Sequence, residues 1–258
     1  MRVRSLTLAA ASAALLAPTT LSTALPVPPP PPQGSTARRD ADVSAADLLS
    51  KVRECSAVSQ GRYRTDRGMR ATVPVCGERG AVFWKADMDI DCDGRPTGHC
   101  NRRTDPFFTA ATAYRQSDGR YLNAERLPYI VVPAPSPIWN HRDHGIRGGS
   151  LAAVVYRDRV LYAVVGDVGP DDMIGEASYA TAKLLGIPAD PHAGGTAHGV
   201  TYIVFKEKPV RPIENRTAAV TAGERLAREF VRGAKALPGG EVVRGGRVVH
   251  GERSVHDD

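Results

Sequence analysis

Nothing in this 258-residue chain is a candidate membrane-spanning helix once its start is set aside: the apolar stretch from Leu6 to Ala17 is too short to cross a bilayer. Zinc-type spacing is missing, since Cys55, Cys76, Cys92 and Cys100 match no usual ligand pattern. There is no internal repeat, and the arginines are scattered rather than clustered, which leaves no phosphate- or base-reading surface. Only two tryptophans, Trp84 and Trp139, are present. What remains is ordinary globular material, 42% hydrophobic and 24% charged, enough to bury one core.

The formal net charge of +6 invites a nucleic-acid reading, but its distribution argues against one. Residues 1–80 carry a net +5, residues 81–205 a net −2 and residues 206–258 a net +3. A site in the acidic middle suits a neutral or cationic partner. Part of the basic excess belongs to Arg2 and Arg4, which precede the apolar run and the small residues Ser22-Thr23-Ala24. This is the pattern of a secretory signal peptide over residues 1–24. Export permits disulfides, so two bridges are expected. Three pairings are possible, and the sequence-adjacent one, Cys55 with Cys76 and Cys92 with Cys100, is preferred.

Six prolines between Pro26 and Pro32 make residues 25–43 a linker or arm that cannot form a core. A short helix is expected from Ser44 to about Cys55, where Leu48, Leu49 and Val52 keep helical spacing. Strands are expected at Ala81–Trp84, Tyr129–Val132, Leu151–Tyr156, Val160–Val165 and Gly199–Phe205, with a hairpin at Arg157-Asp158-Arg159. One helix is expected from Glu176 to Leu185, closed by Gly186, with Ala177, Ala180 and Leu184 as its buried face. A second has capping-box spacing at Thr221 and Glu224 and would run to about Leu237. The pattern is mainly β: a compact β-barrel with peripheral helices, its main domain spanning residues 44–210 and a helical or disordered tail spanning 211–258.

Three groups of residues could carry chemistry. Asp167 ends an apolar strand and Glu176 opens the expected helix across a Gly/Pro/Asp turn. Two carboxylates brought to one cleft this way suit glycosidic bond hydrolysis, which needs one proton donor and one base or nucleophile. They could equally be a turn cap and a helix-dipole partner. Asp87, Asp89, Asp91 and Asp93 alternate strictly, so an extended strand would project all four to one face and call for cations, either substrate ammonium groups or calcium. The EF-hand pattern fails because Cys100 stands where its closing Glu belongs, and a solvated acidic loop is the plainer alternative. Trp84, near these acids, could stack on a sugar or fill the core. His141 and His144 could bind a metal but are more simply incidental.

The motifs Asp87-Met-Asp-Ile-Asp-Cys-Asp-Gly, Leu127-Pro-Tyr-Ile-Val-Val-Pro133, Gly166-Asp-Val-Gly-Pro, Gly175-Glu-Ala-Ser-Tyr-Ala and Gly199-Val-Thr-Tyr-Ile-Val-Phe205 together resemble the chitosanases of glycoside hydrolase family 75, over about residues 75–205. The resemblance implies a secreted endo-acting enzyme that cleaves β-1,4 links between glucosamine units of chitosan with inversion, using Asp167 and Glu176. The run from Val165 to Ala180 is also similar to the strand, turn and helix start of double-psi β-barrels such as expansins and family 45 cellulases. That likeness implies a double-psi-like barrel whose short helix carries the proton donor, here Glu176. A helix N-terminus would instead favour ionised Glu176 as base, with Asp167 as acid; the reading leans to the barrel analogy. Asp87, Asp89, Asp91, Asp93 and Trp84 would then line the substrate groove. No cofactor, metal, nucleic-acid partner or membrane association after signal cleavage is expected, and the chain is expected to act as a monomer. The rival readings are a non-catalytic, expansin-like wall-binding module and a glycosidase acting on peptidoglycan.

Overall fold

The structure is a computed structural model, and it describes residues 43–207 and 209–233. The expected signal peptide, the arm up to residue 42 and the tail beyond residue 233 lie outside the described residues. Helix α1 (Ala45–Lys51) opens the domain, capped reciprocally by Ser44 and Asp47. The strands are β1 (Ser56–Ala57), β2 (Cys76–Glu78), β3 (Ala81–Asp91), β4 (Tyr129–Pro133), β5 (Leu151–Tyr156), β6 (Arg159–Gly169), β7 (Glu176–Ser178) and β8 (Thr196–Phe205). Helix α2 (Tyr179–Leu185) lies between β7 and β8, and α3 (Arg216–Arg232) follows β8. Among the described residues no helix is long and apolar enough to cross a membrane.

Six strands close a barrel in the order β3-β7-β4-β6-β5-β8, with β8 pairing back onto β3. The β3–β7 and β4–β6 pairs are parallel, and the others are antiparallel. This is the mainly β barrel with peripheral helices that the strand-rich pattern led one to expect. The β5–β6 hairpin turns through Arg157 and Asp158, where Arg157 takes φ 56°.

Alternation sorts the strand residues into two layers. Val82, Trp84, Ile130, Ala152, Val154, Val165, Tyr202 and Val204 belong to one buried cluster, the barrel interior. Phe83, Tyr129, Val155, Ile203 and Phe205 point the other way and join Leu48 of α1 with Leu226 and Ala227 of α3. Each fully buried Leu or Phe in these layers contributes about 1.5–3 kcal/mol. Both disulfides follow the sequence-adjacent pairing, Cys55–Cys76 and Cys92–Cys100.

Three helix expectations need correction. Helix α2 begins at Tyr179, not Glu176, because Ser178 is its cap and accepts a hydrogen bond from the Thr181 N–H. Its buried face is therefore Ala180, Thr181, Ala182 and Leu185, and Leu184 is exposed. Helix α3 starts earlier than Thr221, with Asn215 capping the Ala218 N–H, so the Thr221 and Glu224 spacing falls inside the helix.

Candidate active site

The acidic residues reach one outer surface of the barrel through three local features. Along β3, Trp84, Ala86 and Met88 are buried inside, which turns Asp87, Asp89 and Asp91 outward. On β6 the register against β4 slips by one: Ile130 faces Val165, but Val131 faces Asp167. Gly166 is the extra residue of this bulge, and without it Asp167 would follow Val165 into the interior. A side chain at Gly166 would put its Cβ 2.5 Å from Tyr129 and 2.9 Å from Leu122, so only glycine fits. The third feature is β7, where Glu176 pairs with Asp89, Ala177 with Ile90 and Ser178 with Asp91. Glu176 is thus held by a parallel ladder, and the expected short helix carrying the acid is instead a short strand that leads into α2.

The loop between β3 and β4 folds over this surface, stapled at its start by Cys92–Cys100. It supplies the Ala113 N–H, which donates to Asp167 Oδ1 at 2.7 Å, alongside the Val168 N–H at 2.7 Å. Asp93 Oδ1 accepts from the Thr109 N–H at 2.6 Å, and Asp91 Oδ1 from the Asp93 N–H at 2.6 Å. Tyr129 donates its hydroxyl to the Asp93 carbonyl.

Crowded and largely shielded from water, these carboxyls are pushed above the ordinary carboxylate range. Burial pushes Glu176 up to about 8, reinforced by the charges of Asp89, Asp93 and Asp167. Asp91, 5% exposed, is raised well above the carboxylate range by burial and by Glu176, Asp167 and Asp93. Burial likewise raises Asp167, but the two backbone N–H donors oppose it and leave it at about 6. Asp93 also stands at about 6. The resulting order is informative: Asp167 ionises before Glu176. A pair whose environments separate their proton affinities in this way can divide acid and base work between them.

The row of four alternating acids is not one unit. Asp91 and Asp93 gather with Asp167, and Asp87 and Asp89 gather with Asp66; in each trio one oxygen from each residue lies within 4.8 Å of the others. Asp87 and Asp91 are 3% and 5% exposed and Asp167 is 7% exposed, whereas Asp89 and Asp93 are more accessible, so of the four alternating acids these two have most room to meet a substrate. The expectation for Trp84 is overturned: it is fully buried, stacked on Tyr202 at 5.3 Å and edge-on to Trp139 at 6.4 Å, so no sugar can reach it. His141 is buried with Nδ1 3.2 Å from the Pro133 carbonyl, a structural placement. Asp66, Asp105 and the Ala113 amide escaped the sequence reading. Asp66 and Ala113 sit in loops with no motif, and Asp105 acts at a distance by raising Asp93 and Glu176.

The model of the family described as fungal chitosanase of glycosyl hydrolase group 75 matches residues 88–237. The chain belongs to this family. Its match begins inside β3 and continues through α3, farther than the stretch ending near residue 205 that the sequence motifs covered. Endo-chitosanase C of Aspergillus oryzae is 30% identical over 174 residues, 66% of this chain and 43% of that protein. Endo-chitosanase of Aspergillus fumigatus is 29% identical over 200 residues, 71% of this chain and 82% of that protein. An Aspergillus oryzae endo-chitosanase is 32% identical over 141 residues, 49% of this chain and 56% of that protein. The chain thus spans less than half of the first of these relatives and most of the second.

Proposed function

We propose that this protein is a secreted endo-chitosanase that hydrolyses β-1,4 links between glucosamine units, with Glu176 as general acid and Asp167 as general base. The observation that carries this reading is the Gly166 bulge, which brings Asp167 onto the face occupied by Glu176. Between about 6 and about 8, near pH 7, Asp167 is ionised and Glu176 holds its proton. Glu176 donates that proton to the glycosidic oxygen as the bond to C1 breaks. Asp167, its Oδ1 fixed by the Ala113 and Val168 N–H groups, takes a proton from the water that attacks C1 from the opposite face. Asp91 lies beside both, and burial together with the charges of Glu176 and Asp167 disfavours its ionisation. Inversion at C1 follows from attack by water rather than by the carboxylate.

Preference for chitosan follows from charge. Glucosamine units carry ammonium groups below roughly neutral pH, and the partly accessible Asp93 offers them a partner beside the reacting carboxyls. The enzyme names of the relatives and the family description favour catalysis over the wall-binding alternative. The test is release of reducing ends from soluble chitosan by the full chain. Asp167→Asn and Glu176→Gln should each lower kcat by about 10²–10⁴ while the variants stay folded. A wild-type protein that sediments with chitosan yet releases no ends would make it a binding module, and activity confined to peptidoglycan would change the substrate. The anomer first formed, read by proton NMR, checks inversion, and gel filtration checks the monomer.

A further inference from the structure

We propose that Asp66, Asp87 and Asp89 form a binding site for one calcium ion that ties the loop before β2 to strand β3. One carboxylate oxygen from each lies within 4.8 Å of the other two, and the three come from two separate segments of chain. Proximity of acids alone would not indicate a ligand, but Asp87 adds an independent sign. It is 3% exposed, and its buried Oδ1 has no hydrogen-bond partner. A buried carboxylate oxygen without a donor is strongly unfavourable unless a cation or a proton meets it.

Space for that carboxyl is built into the backbone. Gly175 takes φ +116°, and a Cβ there would collide with Asp87 Oδ1, so the chain keeps a niche open and then leaves the oxygen in it unsatisfied. No ion pair to any of the three acids is found among the described residues, whose ion pairs lie elsewhere, at Arg64–Asp172, His99–Glu125, Arg120–Asp118 and Arg225–Glu229. The donors are all carboxylate oxygens, with neither imidazole nor thiolate, a set that selects a hard cation of the calcium type over zinc or copper. Bound there, the ion would neutralise Asp89, the ladder partner of Glu176, and pin the segment that carries Asp66. The site is separate from the Asp91, Asp93 and Asp167 trio of the candidate active site.

Thermal unfolding of the full chain, stripped with EDTA and desalted, tests this without recourse to activity. Saturating calcium chloride should raise the Tm of the wild type by about 5 °C. Asp93→Asn should keep that rise, because it alters only the other trio. Asp66→Asn, at an exposed position, should melt like the calcium-free wild type and show no rise with calcium. No calcium-dependent rise in the wild type, an undiminished rise in Asp66→Asn, or an equal rise with glucosamine hydrochloride would overturn the proposal.

Discussion

Replacing Glu176 by glutamine should make the protein more stable at neutral pH while abolishing its activity. Burial and the neighbouring Asp89, Asp93 and Asp167 push the folded-state carboxyl from its ordinary value of 4.5 to about 8. Between those values the folded protein binds a proton that the unfolded chain releases. Stability from this group is therefore full below pH 4.5 and is lost as pH rises towards 8. The loss is about 1.4 kcal/mol per pH unit, which gives a ceiling of about 4 kcal/mol at pH 7.5. Glu176 is partly exposed, and solvent screening of the surrounding charges brings the expected figure to about 2 kcal/mol. The glutamine amide has no such proton to lose and escapes that penalty.

Urea unfolding followed by tryptophan fluorescence measures this directly, since Trp84 and Trp139 are both buried in the folded state. At pH 7.5 the variant should be more stable by about 2 kcal/mol, and at pH 4.5 the two curves should nearly coincide. Reducing-end release from chitosan, assayed on the same preparations, should be lost at both pH values. A variant destabilised by the same amount at pH 4.5 and pH 7.5 would refute the reasoning, because the carboxyl would then be a structural hydrogen-bonding group rather than a strained acid.

Three other outcomes are expected. The pH profile of kcat/KM should rise through about 6 as Asp167 ionises and fall through about 8 as Glu176 loses its proton; a single ionisation across that range would contradict the division of labour. Gly166→Ala should cost about 1–3 kcal/mol from overpacking against Tyr129 and Leu122, and its activity should drop even where denaturation curves show it folded, because the bulge aims Asp167. Raising sodium chloride from about 0.05 M to about 0.5 M, which shortens the screening length to a few ångströms, should raise KM for chitosan and leave kcat nearly unchanged; a KM insensitive to salt would remove the acidic patch from substrate recognition.

The barrel was legible because its strands announce themselves. Runs such as Leu151–Tyr156 and Tyr129–Pro133 are rich in β-branched residues, and the structure keeps them nearly as read. The long strands were read short: β3 runs on to Asp91 through its acids and β6 runs on to Gly169 through a bulge, features that composition penalises but cross-strand pairing tolerates. Short β7 was unreadable alone, since Glu-Ala-Ser joins smoothly onto a good helix and only the ladder to β3 makes it strand. Where α3 begins was also decided by contact, with Asn215 capping a helix whose apolar face packs on the barrel.

Asp167 and Glu176 were singled out by motif, but what sets their proton affinities was hidden in pairing register. Read as a helix start, Glu176 would face a positive dipole and stay ionised, which suits a base. Held instead beside Asp89 on a parallel strand, with Asp93 and Asp167 close by, it keeps its proton and suits an acid. The same register separates the alternating acids, sending Asp91 and Asp93 to Asp167 while Asp87 and Asp89 meet Asp66 from another loop. Trp84 shows the converse: proximity in sequence to the acids placed it near the groove, yet alternation along β3 turns its ring inward just as it turns the carboxyls out. One rule of strand geometry thus removes the aromatic from the site and builds the acidic face. The net +6 of the chain has no bearing on either, because the charges that matter are the few that pairing brings to one side of the barrel.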